Sequence, residues 1–266
     1  MRKIAILVFF TVLFAGNLFS QTTQNQEPKK KGSFYFAWGY NKDYFSKSDI
    51  HFINDGSDHY DFTLINATAA DRPGYDQIFH SNLSIPQYVY RFGYYFNDKR
   101  GLGIEINFDH TKYVMNDNRV VHLKGTIHGT YYDLDTLVKT DFVKFEHTNG
   151  ANFLMINLLK KHTFYTSKNN QHVLSSVLKI GAGIVVPKTD VRLFDERLDN
   201  VFHVAGYVTG LDGGLRYEFR QRLFTEATVK GTFANYFNVL TVGTGKADHT
   251  FFTAEIILAV GVRFPL

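Results

Sequence analysis

The stretch FEHTNGAN, residues 145–152, sets an imidazole, a hydroxyl and an amide side by side: His147, Thr148 and Asn149. A histidine that takes a proton from a nearby hydroxyl is the chemistry of a hydrolytic nucleophile. In an extended strand, however, adjacent side chains point to opposite faces, so Thr148 would turn away from His147. These three are the candidate catalytic residues. The competing reading is a polar rim in a strand that bends at Gly150. Eleven histidines also invite a metal reading, but His51, His59, His80, His122, His128 and His249 fall in expected loops, with no HxH or HExxH spacing. There is no cysteine, hence no disulfide framework and no thiolate site. GLGIE (101–105) and GTGK (243–246) have no helix after them to hold a phosphate. No metal and no cofactor are expected.

A second set of residues carries charge rather than chemistry. Strand alternation turns Arg91, Glu105, Asp109, Lys161, Lys179, Asp212, Arg216, Glu218, Glu226, Lys230, Glu255 and Arg263 to one side of their strands, six basic and six acidic. Enclosed charges must pair, because an unpaired buried ion costs several kcal/mol or more. A balanced set therefore predicts a salt-bridged interior. A selective pore would favour one sign of charge.

The elements that position these groups read as strands. The clearest is 251–264, FFTAEIILAVGVRF, with Phe252, Ala254, Ile256, Leu258, Val260, Val262 and Phe264 on one face and Thr253, Glu255 and Arg263 on the other. It is far longer than the usual five or six residues, and its alternation is that of a strand crossing a bilayer. Working back from it gives strands at 222–237, 203–219, 172–186, 142–165, 101–114, 84–96 and 33–42. Short turns fall at 97–99, 167–171 and 220–222. Longer connections fall at 43–83, 115–141, 188–201 and 239–249. The fold class is all-β: a transmembrane antiparallel up-and-down β-barrel of eight strands. Residues 49–53 and 60–64 form a hairpin inside the 43–83 loop, or else raise the count to ten. A further hairpin is expected around Gly125–Gly129. Tyr44, Phe45, Tyr60, Phe62, Tyr75, Tyr131 and Tyr132 are expected to pack on one another within the loops. The 16% aromatic content suits strands and interfacial girdles.

The chain opens with Arg2 and Lys3, then IAILVFFTVLFAG, then Ser20 before the polar QTTQNQ. This is the pattern of a secretory signal. The layout is then a signal peptide at 1–20, a polar periplasmic leader at 21–32 and a barrel at 33–266 with long extracellular loops 43–83 and 115–141. Loss of Arg2 and Lys3 lowers the formal charge from +4 to about +2, too little to suggest nucleic acid. The signal, the eight alternating strands and the closing AVGVRF resemble the small outer-membrane barrels of the OmpA-transmembrane-domain and OmpX type, and the uncharacterised barrels of Gram-negative bacteria. That resemblance implies a cell outer membrane location across 33–266 and no particular reaction. Residues 145–152 also resemble the FxHxSNA segment of the outer-membrane lipid A deacylases, small barrels in which a histidine and a serine act as base and nucleophile. His147 stands at the histidine and Asn149–Gly150 at the Asn-Ala pair. The spacing is one residue short, and Thr148 or Asn149 replaces the serine.

Three functions follow as alternatives. The first is a non-enzymatic, structural or surface-binding barrel that acts through its loops. The second is a lipid A-modifying hydrolase using His147, and the third a small-solute channel. The expected surroundings are outer-membrane lipid and lipopolysaccharide, with an extracellular protein or glycan as the loop ligand. A monomer is expected.

Overall fold

The computed structural model describes residues 32–74, 87–98 and 100–266. The expected signal peptide at 1–20, the expected leader at 21–32 apart from Gly32, and Tyr75, His80 and Lys99 lie outside the described residues. The strands in chain order are β1 (Ser33–Phe45), β2 (Ser48–Asn54), β3 (Tyr60–Ala67), β4 (Ala69–Asp71), β5 (Tyr88–Asn97), β6 (Leu102–His110), β7 (Tyr113–Met115), β8 (Arg119–Ile127), β9 (Thr130–Val138), β10 (Val143–His147), β11 (Phe153–Thr166), β12 (His172–Val185), β13 (Asp190–Leu193), β14 (Glu196–Asp199), β15 (Gly206–Phe219), β16 (Leu223–Leu240) and β17 (Lys246–Pro265).

Among the described residues, eight of these close a ring in the order β1-β5-β6-β11-β12-β15-β16-β17. Closure is antiparallel between β1 and β17, from Ser33 opposite Pro265 to Phe45 opposite Thr253. The eight-stranded antiparallel barrel is therefore the fold. The hairpin of β2 and β3 does not widen the ring, because β2 joins only the protruding end of β17, over Lys246–His249.

Alternation explains which way each side chain goes. Ile106, Ile156, Leu158, Ile180, Leu211, Val229, Ile256 and Leu258 stand exposed on the outside, while polar partners on the same strands are buried within. Aromatic rings flank this aliphatic belt. Phe34 and Tyr94 meet at 4.6 Å near the short-turn end, and Phe233 and Phe252 at 5.2 Å near the other. An apolar exterior over a charged interior inverts a soluble protein and matches a bilayer-spanning barrel with its two girdles.

The short-turn end uses tight connections. Arg220 and Gln221 both have positive φ, 51° and 57°, and the Arg222 N–H donates to the Phe219 carbonyl at 3.1 Å. This is a type I′ turn, whose twist suits a hairpin. The other end departs from simple loops. The strand expected over 142–165 is two strands: Gly150, at φ 121°, lets the chain leave the barrel wall, so β10 pairs with β7 and β13 in a separate five-stranded sheet, β14-β13-β10-β7-β4. The loop expected over 239–249 shrinks to residues 241–245, because β16 and β17 run on beyond the barrel. On that extension β2, β3, β8 and β9 build outward in succession.

The two sheets enclose an apolar core that includes Phe52, Phe62, Leu64, Leu123, Phe145, Val191 and Leu193. Each such side chain contributes roughly 1.5–3 kcal/mol on burial, so the connections at this end form a packed cap. Phe45, Tyr60 and Phe62 serve this core, whereas Tyr44 and Tyr131 stay exposed. Hairpins appear around both segments singled out in the sequence, β2–β3 and β8–β9.

Candidate functional site

The barrel interior is lined by ion pairs. All twelve charges assigned inward by alternation are buried. At the short-turn mouth, Lys161 Nζ lies 2.7 Å from Glu218, and Arg263 bridges Glu218 at 3.1 Å and Asp98 at 2.6 Å. One level up, Arg216 pairs with Glu226 at 2.6 Å. Its guanidinium also lies 4.4 Å from the Tyr35 ring centre and 4.2 Å from that of Phe224. Lys179 contacts Glu226 at 2.7 Å, Glu105 at 3.1 Å and Asp212 at 3.6 Å. Arg91 and Lys230 both bind Asp109. Lys230 reaches Glu255 only at 3.8 Å. Asp43 is also inward and buried. Sequence reading missed it because the first strand was expected to stop at 42; one more step of the same alternation finds it.

His147 is brought neither to lipid nor to the barrel lumen. It ends β10, fully buried in the cap, with its ring stacked on Tyr236 at 5.1 Å. Its Nδ1 lies 2.9 Å from Thr189 Oγ1, and its Nε2 lies 3.2 Å from Nε2 of His249. Tyr113, Phe145 and Phe251 ring the pair. Burial in this apolar cage pushes the His147 imidazole down to about 3, with a smaller contribution from His203. The imidazole is therefore neutral, with one ring nitrogen a donor and the other an acceptor. Thr148 turns away and donates to Glu146 at 3.2 Å, and the exposed Asn149 sits 3.4 Å from Asp199. The structure thus separates the three candidate catalytic side chains instead of assembling them.

Other histidines lie on the outer face of the cap. His51 sits between Asp248 at 2.9 Å and Asp61 at 2.8 Å. His122 sits between Asp135 at 2.8 Å and Asp133 at 2.9 Å. Partial burial opposes the charge on His51, but its two carboxylate partners outweigh that and raise its pKa. Hydrogen bonding to Asp135 leads the upward shift of His122. Both are clamps between neighbouring strands. Among the described residues no three acidic or imidazole groups converge to hold a metal.

No protein-family model matches the chain, and no curated protein matches it. Solved structures do align with it. OprG of Pseudomonas aeruginosa is 15% identical, over 91% of this chain and 99% of that one, at a TM-score of 0.36. Neisserial surface protein A is 10% identical, over 86% and 96%, at 0.35. Ail, the attachment invasion locus protein of Yersinia pestis, in complex with the heparin analogue sucrose octasulfate, is 11% identical, over 88% and 99%, at 0.32. The chain has the architecture of a small outer-membrane β-barrel. Its own strand register and inverted polarity carry that architecture.

Proposed function

We propose that this chain is an integral protein of the Gram-negative outer membrane, neither a channel nor an enzyme, that acts as a surface barrel through its cap. The carrying observation is that the long connections fold into one packed β-structure above a lumen lined with ion pairs. A conducting pore needs a continuous polar path, and the cap core interrupts it with Phe52, Phe145 and Phe251. A lipid hydrolase needs a nucleophile within reach of its base at a substrate-accessible place. His147 is enclosed, and the side chain next to it in sequence serves Glu146. The capped end faces outward in this reading, because long connections are extracellular and short turns periplasmic in such barrels. Its exposed faces then carry structural or binding contacts to extracellular protein or glycan.

The test is replacement of 48–67 and of 119–138, separately, by short turns. The barrel should keep its heat-modifiable migration on gels, while any adhesion or surface-binding phenotype of expressing cells is lost. Mass spectrometry of lipid A should show the same acylation with and without the protein. An acylation change that disappears in His147→Gln would establish the hydrolase instead.

A further inference from the structure

The buried lumen does not balance. Among the described residues it holds seven carboxylates, Asp43 added to the six identified by alternation, against six cationic side chains. The excess is localised. Glu105, Asp109, Asp212, Glu218 and Glu226 each have a cation within 3.6 Å. Among the described residues, Asp43 accepts from the neutral amides of Asn41, at 3.1 Å, and Gln87, at 2.8 Å. Glu255 is fully buried, and neither of its oxygens receives a hydrogen bond within the described protein. Its cation, Lys230, is 3.8 Å away and bound more closely by Asp109. Asp43 and Glu255 stand directly opposite one another on β1 and β17, where like charges oppose pairing.

The Asp71 carboxylate, paired with Lys42 at 2.8 Å, accepts from the Asp43 backbone N–H at 2.9 Å, and neutral oxygens lie nearby. Thr253 lies two residues above Glu255 on the same inward face, and Thr232 lies directly across from Thr253. Both threonines are buried, and both hydroxyls lack a protein partner. The Gln87 carbonyl, beside Asp43, is likewise buried without a partner. Leaving a buried polar group unsatisfied costs about 1–3 kcal/mol, and more for an ion. A single ligand shared by these oxygens would satisfy them together. Among the described residues, the oxygens at this place come from two carboxylates and neutral groups. All-oxygen donors select hard cations over transition metals.

We propose that Asp43 and Glu255 bind one hard cation inside the barrel, with the hydroxyls of Thr253 and Thr232 and the carbonyl of Gln87 as neutral ligands. One excess carboxylate matches a monovalent ion such as sodium. Calcium is the divalent alternative of the same chemistry. This site goes beyond the surface role proposed above and stands independently of it.

The experiment uses the whole mature protein folded in detergent in choline chloride, sodium chloride or calcium chloride at equal ionic strength. Thermal unfolding is followed by loss of heat-modifiable migration, and retained metal by elemental analysis after desalting into choline buffer. Sodium or calcium should raise the midpoint saturably above choline, with about one ion retained per chain; which salt does so assigns the valence. Glu255→Gln should remove both the salt response and the retained ion. Asp43→Asn serves the same purpose if the first variant does not fold. Equal midpoints in all three salts with no ion retained would overturn the proposal and leave a shared proton to balance the pair. A salt response that survives in both variants would also overturn it.

Discussion

Leu258 and Ile257 are neighbours in sequence with opposite surroundings. Leu258 is 59% exposed on the outer wall, and Ile257 is 3% exposed among inward side chains that include Tyr35, Tyr95 and Phe224. Leu258→Arg should therefore destabilise the folded barrel by about 2–4 kcal/mol in bilayers, as a charge near the midplane does. Ile257→Thr keeps the branched shape and places a hydroxyl in an interior rich in polar groups, so it should cost less. Urea titration in vesicles compares the two, and the reverse order would mean that the register of β17 is wrong. His147 supports a second prediction. Its pKa is depressed to about 3 in the folded cap by burial, against about 6.5 when exposed. The unfolded cap then binds the proton more readily. The stability from this group is complete above about pH 6.5 and falls as pH drops from there toward 3, by up to about 1.4 kcal/mol per pH unit. Hydrogen exchange of the β10 amides between pH 7.5 and 5 should show this acid loosening. His147→Gln should lessen the slope without abolishing it, because burial also pushes the neighbouring His249 imidazole down.

At the level of elements, the turn of Arg220 and Gln221 holds two ordinary residues where a type I′ hairpin prefers Asn-Gly. Left-handed backbone costs a non-glycine residue roughly 1–2 kcal/mol. The double change Arg220→Asn, Gln221→Gly should accordingly raise stability by about 1–2 kcal/mol with no effect on the cap, read as a higher unfolding midpoint. An unchanged midpoint would mean that the turn carries no such strain. The same short turns made the barrel legible from the sequence. Where a two- to five-residue connection joins alternating strands, as at 167–171 and 220–222, period and register follow from the pattern alone. The cap was legible only in pieces. The β2–β3 and β8–β9 hairpins announce themselves by alternation around Asn54–Asp58 and Gly125–Gly129. β4, β7, β13 and β14 are three or four residues long, too short to show a period. The departure of β10 from the wall is set by a single glycine at positive φ and by long-range pairing to β7 and β13. For that reason the environment of His147 could not be read from FEHTNGAN: the residues that enclose it, Tyr113, Thr189, Tyr236 and His249, lie tens of residues away in the chain.

For the whole molecule, barrel and cap answer the same question in two ways. An eight-stranded ring leaves an interior just wide enough for side chains to fill. Here Arg216, Lys179 and Arg91 occupy it, each paired with carboxylates. On the cap side, the aromatic cluster around His147 and His249 packs within the apolar core. In the proposed reading, permeation requires breaking buried ion pairs at one level and an apolar core at the next. The protein should show no steady conductance in planar bilayers, and removal of 48–67 should not create one. Lys230→Glu is the sharper variant. It removes a cation held by Asp109 and sets a new carboxylate beside Glu255 and Asp109. Leaving buried charges uncompensated costs about 3–5 kcal/mol, so this variant should unfold more easily yet remain non-selective and closed. Stable channels of defined conductance in the unmutated protein would show that the ion pairs part readily, and would favour the small-solute channel instead.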